Sequence, residues 1–277
     1  MEIREAIAAA TAKKFTTNEL RRNFLVSDLF KPDEVKLIYT YYDRLIIGGI
    51  SPVKKELVLN IDEKVIGAPF LLKRREMGII NIGGQGKIIV DNQEYELDNK
   101  DALYIGMGAK DIRFASADAS KPAVYYMNCA PAHKTFPTTK ISISQSEPLH
   151  LGSDSGSNKR TIYKYIHPDG VKSCQLVMGL TMMEPGNIWN TMPTHTHPRR
   201  IEAYFYFDIP QDNAVFHFMG EPSETRHLVV RDKEVVISPS WSIHSGAGTN
   251  NYTFIWGMAG ENQTFSDMDA VPINELK

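Results

Sequence analysis

The sequence predicts an all-β protein: two barrels of one pattern in tandem, behind a short helical segment. Three observations carry this. Strand-like runs of roughly five to seven residues, rich in β-branched and aromatic side chains and parted by Gly, Asn and Asp, continue from Leu37 to about Met258. No helical pattern alternates with them, which favours a sandwich or barrel over βαβ units. Two stretches about 125 residues apart share a pattern, which suggests a duplication.

At the N-terminus, Thr16-Thr-Asn-Glu19 has the spacing of a capping box ahead of Leu20 and Phe24. Residues 1–35 are therefore expected as a helical and extended lead-in. A first barrel is expected over 36–145. It opens with Leu37-Ile-Tyr-Thr-Tyr-Tyr and Leu45-Ile-Ile-Gly-Gly-Ile and continues through Lys73-Arg-Arg-Glu-Met-Gly-Ile-Ile-Asn-Ile. Within it, Gly83-Gly-Gln-Gly86 is hairpin chemistry, because its spacing is wrong for a dinucleotide loop and no strand–helix unit surrounds it. A second barrel is expected over 146–277. There Pro198-Arg-Arg-Ile-Glu-Ala-Tyr-Phe-Tyr-Phe repeats the Arg-Arg turn and alternating strand, and Glu234-Val-Val-Ile-Ser-Pro answers Asp101-Ala-Leu-Tyr-Ile-Gly. The chain closes on a short acidic segment.

The chemistry concentrates in the second barrel. His195-Thr-His197 puts two imidazoles on one face of an extended strand, because side chains alternate with period two. Pro198-Arg-Arg supplies a turn, after which Glu202, Tyr204 and Tyr206 share a face. His244, in Ser-Trp-Ser-Ile-His, can arrive from a neighbouring strand. Three neutral nitrogens and one carboxylate suit a borderline divalent ion: zinc, iron, manganese, nickel or cobalt. The first barrel has no His at the matching positions, so it is expected as scaffold without metal ligands. A His-x-His pair alone is a weak signal; the company of Glu202 and His244 strengthens it. His133, His150, His167 and His227 read as structural or surface residues. Asp267-Met-Asp269 offers too few acids for a hard-cation site.

Composition sets outer limits. A 277-residue chain with 42% hydrophobic residues has ample core material, and its net charge of −2 gives no reason to invoke nucleic acid or an anionic membrane. No apolar stretch has the length of a membrane span, and the N-terminus lacks the apolar core of a signal peptide. Cys129 and Cys174 lack CxxC spacing and read as reduced core thiols. A cytoplasmic, soluble protein is expected.

The spacing His195-x-His197-x4-Glu202 followed by Pro239-x4-His244 resembles the two cupin motifs, and the duplication then implies a bicupin, with double-stranded β-helix (jelly-roll) barrels. Longer segments narrow the resemblance. Asp43-Arg-Leu-Ile-Ile-Gly-Gly-Ile, Arg75-Glu-Met-Gly-Ile-Ile-Asn-Ile-Gly-Gly, Asn128-Cys-Ala-Pro-Ala-His133, Trp189-Asn-Thr-Met-Pro-Thr-His-Thr-His, Ser238-Pro-Ser-Trp-Ser-Ile-His-Ser-Gly and Phe254-Ile-Trp-Gly-Met-Ala-Gly-Glu-Asn-Gln are similar to those of the 5-keto-4-deoxyuronate isomerase family. The resemblance spans essentially the whole chain. It implies one zinc ion per subunit on His195, His197, Glu202 and His244, a homohexamer, a cytoplasmic location and a place in pectin and uronate catabolism.

The implied reaction is an aldose–ketose isomerisation, an intramolecular oxidoreduction between 4-deoxy-L-threo-5-hexosulose uronate and 3-deoxy-D-glycero-2,5-hexodiulosonate. A divalent ion can act on such a substrate as a Lewis acid. Proton transfer needs a tuned base, for which Tyr204, Tyr206, His217 and a metal-bound hydroxide are the candidates, and a hydride shift is an alternative that sequence does not separate from it. The substrate carboxylate needs a cation. Arg200 is the first choice, with Arg199, Arg226 and Lys164 behind it. Trp256, like Trp189 and Trp241, is a candidate pocket wall or a core residue. Two other classes share the ligand set: an iron-dependent cupin dioxygenase and a non-enzymatic bicupin that senses a sugar or a metal.

Overall fold

The computed structural model describes residues 1–277, and its chain is organised as two units, each with one seven-stranded and one four-stranded sheet. In the first unit the larger sheet runs in the order Glu2–Arg4, Val35–Thr40, Ile46–Ile50, Tyr125–Pro131, Arg75–Asn81, Ala102–Ile105, Thr139–Ile141. Its smaller sheet runs Leu57–Val58, Ile112–Ser116, Gly86–Val90, Gln93–Leu97. The second unit repeats this order. Its larger sheet runs Leu149–Leu151, Arg160–Ile166, Val177–Met183, Thr253–Gly260, Arg200–Phe207, Glu234–Ser238, Leu25–Val26. Its smaller sheet runs Trp189–Asn190, Ser245–Gly248, Val215–Glu221, Glu224–Val230. The duplication read from the sequence is thus a duplication of topology, and the fold is all-β, as expected.

The units are not the consecutive stretches 1–35, 36–145 and 146–277. The first comprises Met1–Arg4, Leu29–Ser146 and Tyr165–Val177; the second comprises Glu5–Asp28, Glu147–Lys164 and Met178–Lys277. Hydrogen bonding explains the exchange. Glu2–Arg4 pairs in parallel with Ile38–Thr40, which ties the first residues to the first unit. The helix Thr17–Phe24 starts on the expected capping box between Thr16 and Glu19, buries Leu20 and Phe24, and leads into Leu25–Val26, which pairs with Val235 and Val236 of the second unit. The segment 165–177 is held in the first unit by Glu76. That fully buried carboxylate accepts from the backbone N–H of Cys174, Gln175 and Leu176 and from the Tyr104 hydroxyl. A buried acid with every oxygen engaged is a structural anchor.

The first unit has closed its interior with hydrocarbon. Arg75 begins its central strand as Arg200 begins that of the second unit, and two residues on Met77 stands where Glu202 stands. Met77 pairs opposite Cys129, as Glu202 does opposite Met258. Met77 packs among Ile79, Ile88, Leu103, Ile105 and Phe114, all essentially without exposure. Burial pushes the Cys129 thiol up to about 12, the state of an inert core thiol. Cys174 is only half-buried, so it is not the core residue the sequence suggested. No helix is long and apolar enough to cross a membrane.

Candidate metal centre

The four residues read from the sequence converge in the second unit. His195-Thr196 forms a two-residue strand that pairs with Asp269-Ala270 near the C-terminus, so the imidazoles sit outside the large sheets, on a ribbon laid against them. The turn that follows closes through Arg200 N–H to His197 O, and Glu202 then projects from the strand Arg200–Phe207. His244 immediately precedes the strand Ser245–Gly248 of the smaller sheet. The ligand atoms of His195, His197, Glu202 and His244 all lie within 4.8 Å of one another.

The distances describe a ring. His195 Nε2 lies 3.1 Å from His197 Nε2 and 3.0 Å from His244 Nε2. Glu202 Oε2 lies 2.9 Å from His197 Nε2 and 3.1 Å from His244 Nε2. Three imidazole nitrogens and a carboxylate oxygen brought this close form the mixed donor set that would suit a divalent transition ion. His197 Nδ1 lies 2.7 Å from the Asp267 carbonyl oxygen. A carbonyl only accepts, so Nδ1 carries the proton and Nε2 turns its lone pair towards the other ligand atoms. That lone pair, the Glu202 carboxylate and the nearby Nε2 atoms of His195 and His244 are the donors a cation at their centre would use. The residues fit a divalent metal ion.

Charge agrees with geometry. Burial by itself would raise the Glu202 carboxyl, but His244 and His197 beside it override that and hold it well below the usual range, ionised. Burial and the neighbouring His244 and His197 push His195 down to about 3, and burial also lowers His244. Neutral imidazoles and an ionised carboxylate are the metal-ready forms.

The centre opens on a cavity of about 450 Å³, within the range of small-molecule sites. Three of its walls are strands of the larger sheet: Phe254, Trp256 and Met258 on Thr253–Gly260, Thr181 on Val177–Met183, and Arg160 with Ile162 on Arg160–Ile166. Phe265, Met268 and Ala270, from the segment after the last long strand, close another side.

Of the candidate proton-transfer groups, Tyr204 alone lines this cavity. Its ring stacks on Phe254 at 5.3 Å and its hydroxyl lies 3.3 Å from Thr191 Oγ1. Burial, reinforced by the Glu202 charge, raises its phenol well above the ordinary value, so it stays protonated. Tyr206 and His217 are fully buried and bond each other, Tyr206 Oη to His217 Nδ1 at 2.8 Å, away from the cavity wall. His217 Nε2 is buried with no partner, and burial pushes this imidazole down to about 3.

The arginines expected to grip a substrate are engaged elsewhere. Arg200 is 1% exposed and donates to the backbone carbonyls of Thr264, Phe265 and Asp267, which holds the closing segment against His197. Arg199 clamps the carboxylates of Asp267 and Asp269. Arg226 donates to Lys13 O and Phe15 O, anchoring the N-terminal lead-in. Lys164 sits over the Phe265 ring. None of the four lines the cavity. Trp256 does, with its indole N–H on Thr181 Oγ1; Trp189 stacks on Phe218 and Trp241 meets Phe24 edge-on. His133, His150 and His227 are exposed and His167 half-buried, as expected.

Two contributors escaped the sequence reading. The closing segment is a wall of the site and supplies the Asp267 carbonyl; separated from its ligand by 70 residues of chain, it gave no local signal. Arg160 is the only Lys or Arg lining the cavity. Its phase with Ile162, two residues on, was the available clue.

The family model described as KduI/IolB matches residues 39–272. The chain belongs to the KduI/IolB family. Among members of this family, the protein of Caldicellulosiruptor bescii named 4-deoxy-L-threo-5-hexosulose-uronate ketol-isomerase is 58% identical over 277 residues, covering all of both chains. Among solved structures, an IolB-like protein from Salmonella typhimurium LT2 superposes with a TM-score of 0.72 at 14% identity, covering 90% of this chain and 97% of that one. Oxalate decarboxylase from Lactobacillus farciminis gives 0.59 at 10% identity, over 91% of this KduI/IolB chain and 89% of its own. At such identities the two structures speak for the cupin fold alone.

Proposed function

We propose that the protein is a metal-dependent ketol-isomerase that interconverts 4-deoxy-L-threo-5-hexosulose uronate and 3-deoxy-D-glycero-2,5-hexodiulosonate. The observation that carries this is the 58% identity, end to end, to a protein bearing that name. The site supports it: a three-His, one-Glu cluster faces a cavity of about 450 Å³, room for a six-carbon acid. The ligand set alone would serve an iron dioxygenase or a sugar sensor equally well, and the relatives' name puts the isomerase ahead of both.

In this reading His195, His197, Glu202 and His244 hold one zinc ion per chain, with another divalent transition metal as the substitute. The ion supplies Lewis acidity towards the carbonyl and the adjacent hydroxyl of the substrate. The protein's own groups do the rest. Tyr204, protonated and on the wall beside Glu202, holds a proton at its Oη ready for delivery as the carbonyl migrates. Trp256, Phe254, Met258 and Phe265 exclude water from the remaining walls, which strengthens each polar contact inside. A cytoplasmic homohexamer in pectin and uronate catabolism completes the reading, and light scattering on the purified protein tests the assembly.

The deciding experiment is turnover of the hexosulose uronate followed by NMR, with protein stripped of metal and then reloaded with zinc. Conversion that disappears on stripping and returns on reloading supports the reading. No conversion with any divalent ion overturns it, and oxygen consumption by the iron-loaded protein would then favour the dioxygenase.

A further inference from the structure

Arg160 is a half-buried guanidinium on the wall of the metal cavity. Its one hydrogen bond within the protein runs from Nη1 to the carbonyl of Asn158 at 2.9 Å, and no carboxylate pairs with it. Every other cation near the site has an assigned occupation: Arg199 holds two aspartates, Arg200 holds three carbonyls, and Lys164 lies on an aromatic ring. Burial disfavours the charged form of Arg160, and the guanidinium remains charged at any physiological pH. A charge taken partly out of water without a counter-charge is a cost that folding alone does not explain.

Its position relative to the metal ligands is informative. Arg160 and Ile162 face the cavity from one strand, and Glu202 and Tyr204 face it from another, with Val177–Met183 and Thr253–Gly260 between them. Three strand spacings of about 4.8 Å place the two strands about 14 Å apart along the sheet. The walls between are apolar or neutral: Thr181, Phe254, Trp256 and Met258. The cavity therefore holds a cation-binding cluster on one strand and, on another, a guanidinium that has no counter-charge and lies within electrostatic reach of the Tyr204 hydroxyl. A ligand that satisfies both is a short chain with oxygen donors at one end and a carboxylate at the other.

We propose that Arg160 binds the carboxylate of the uronate substrate, setting which end of the molecule meets the metal centre and selecting acids over neutral sugars. The proposal rests on the isomerase reading for the identity of the substrate, while its geometry stands on the cavity. Arg160 offers two parallel N–H donors, the fork that matches a carboxylate, and Lys cannot reproduce that fork.

The test compares the hexosulose uronate with its neutral methyl ester on zinc-loaded wild type, Arg160→Ala and Arg160→Lys. In Arg160→Ala, kcat/KM for the acid should fall about 30- to 1000-fold, chiefly through KM, with kcat/KM for the ester unchanged. Arg160→Lys should lie between, and both variants should keep one zinc per chain. Equal losses on acid and ester, or none on either, would overturn the assignment. Should wild type turn over neither compound, the isomerase reading falls by itself. Calorimetric binding of the same acid then decides the role of Arg160: binding to wild type that is lost in Arg160→Ala supports it, and equal or absent binding in both overturns it.

Discussion

The carbonyl oxygen of Asp267 lies 2.7 Å from Nδ1 of His197, so a residue near the end of the chain fixes the tautomer of a ligand seventy positions earlier. The same carbonyl accepts from Arg200, which also holds Thr264 and Phe265. The closing segment and the metal centre are therefore one structure.

Arg200→Leu should show this. The change frees three carbonyls of the closing segment and loosens the His197 ring, so zinc affinity should fall about 10- to 100-fold in a chelator competition. Arg199→Ala removes only solvent-screened ion pairs to Asp267 and Asp269, so the denaturant midpoint and zinc affinity should change little. Equal effects of the two substitutions on zinc affinity would contradict the link.

His244→Ala removes one corner of the ligand ring. Metal analysis of the dialysed variant should fall from one zinc per chain towards none, and turnover should drop at least about 1000-fold. Zinc retained at full stoichiometry would show that His244 is not a ligand.

The paired tyrosines separate chemistry from structure. Tyr204→Phe keeps the stack on Phe254 and removes only the cavity hydroxyl, so kcat should fall about 100-fold or more with zinc content unchanged. Tyr206→Phe strands His217 Nδ1 in the interior and should cost about 1–3 kcal/mol of stability while kcat changes little. The reverse pattern would move the proton-transfer role to Tyr206.

Acid should unfold the metal-free protein through its buried histidines. His195 and His217 are held near 3 in the folded chain, against 6.5 for an ordinary histidine, so the unfolded chain binds their protons first. Their contribution is complete above pH 6.5 and is lost as pH falls towards 3, at up to about 1.4 kcal/mol per pH unit for each. Urea unfolding of stripped protein across this window measures it. Zinc should shift the onset to lower pH, because protons must then displace the metal from His195. Flat stability between pH 6.5 and 4 would rule out the buried-neutral state of both.

Much of the molecule was legible because its signals are local. Period-two alternation marks strands, the Thr16–Glu19 box marks a helix start, and the repeated Arg-Arg strand announces a duplication. The residue types and spacings of His195, His197, Glu202 and His244 mark a set that could hold a metal before any fold is known, and the structure brings the four together. The engagement of the candidate arginines was hidden for an equally physical reason. Adjacency to a ligand in sequence says nothing about which way a long side chain turns, and at Arg200 it turns to backbone carbonyls.

The sequence by itself determined the all-β class, the repeat and the ligand set, since each depends on residue type at short spacing. Only the tertiary structure decided which strands exchange between the two units, that the chain's end walls the site, that Tyr204 but not Tyr206 reaches the cavity, and that Arg160 is its free cation. Those facts depend on which strands lie side by side and on what each buried polar group finds to bond. Contacts across a hundred residues of chain leave no pattern in either stretch alone.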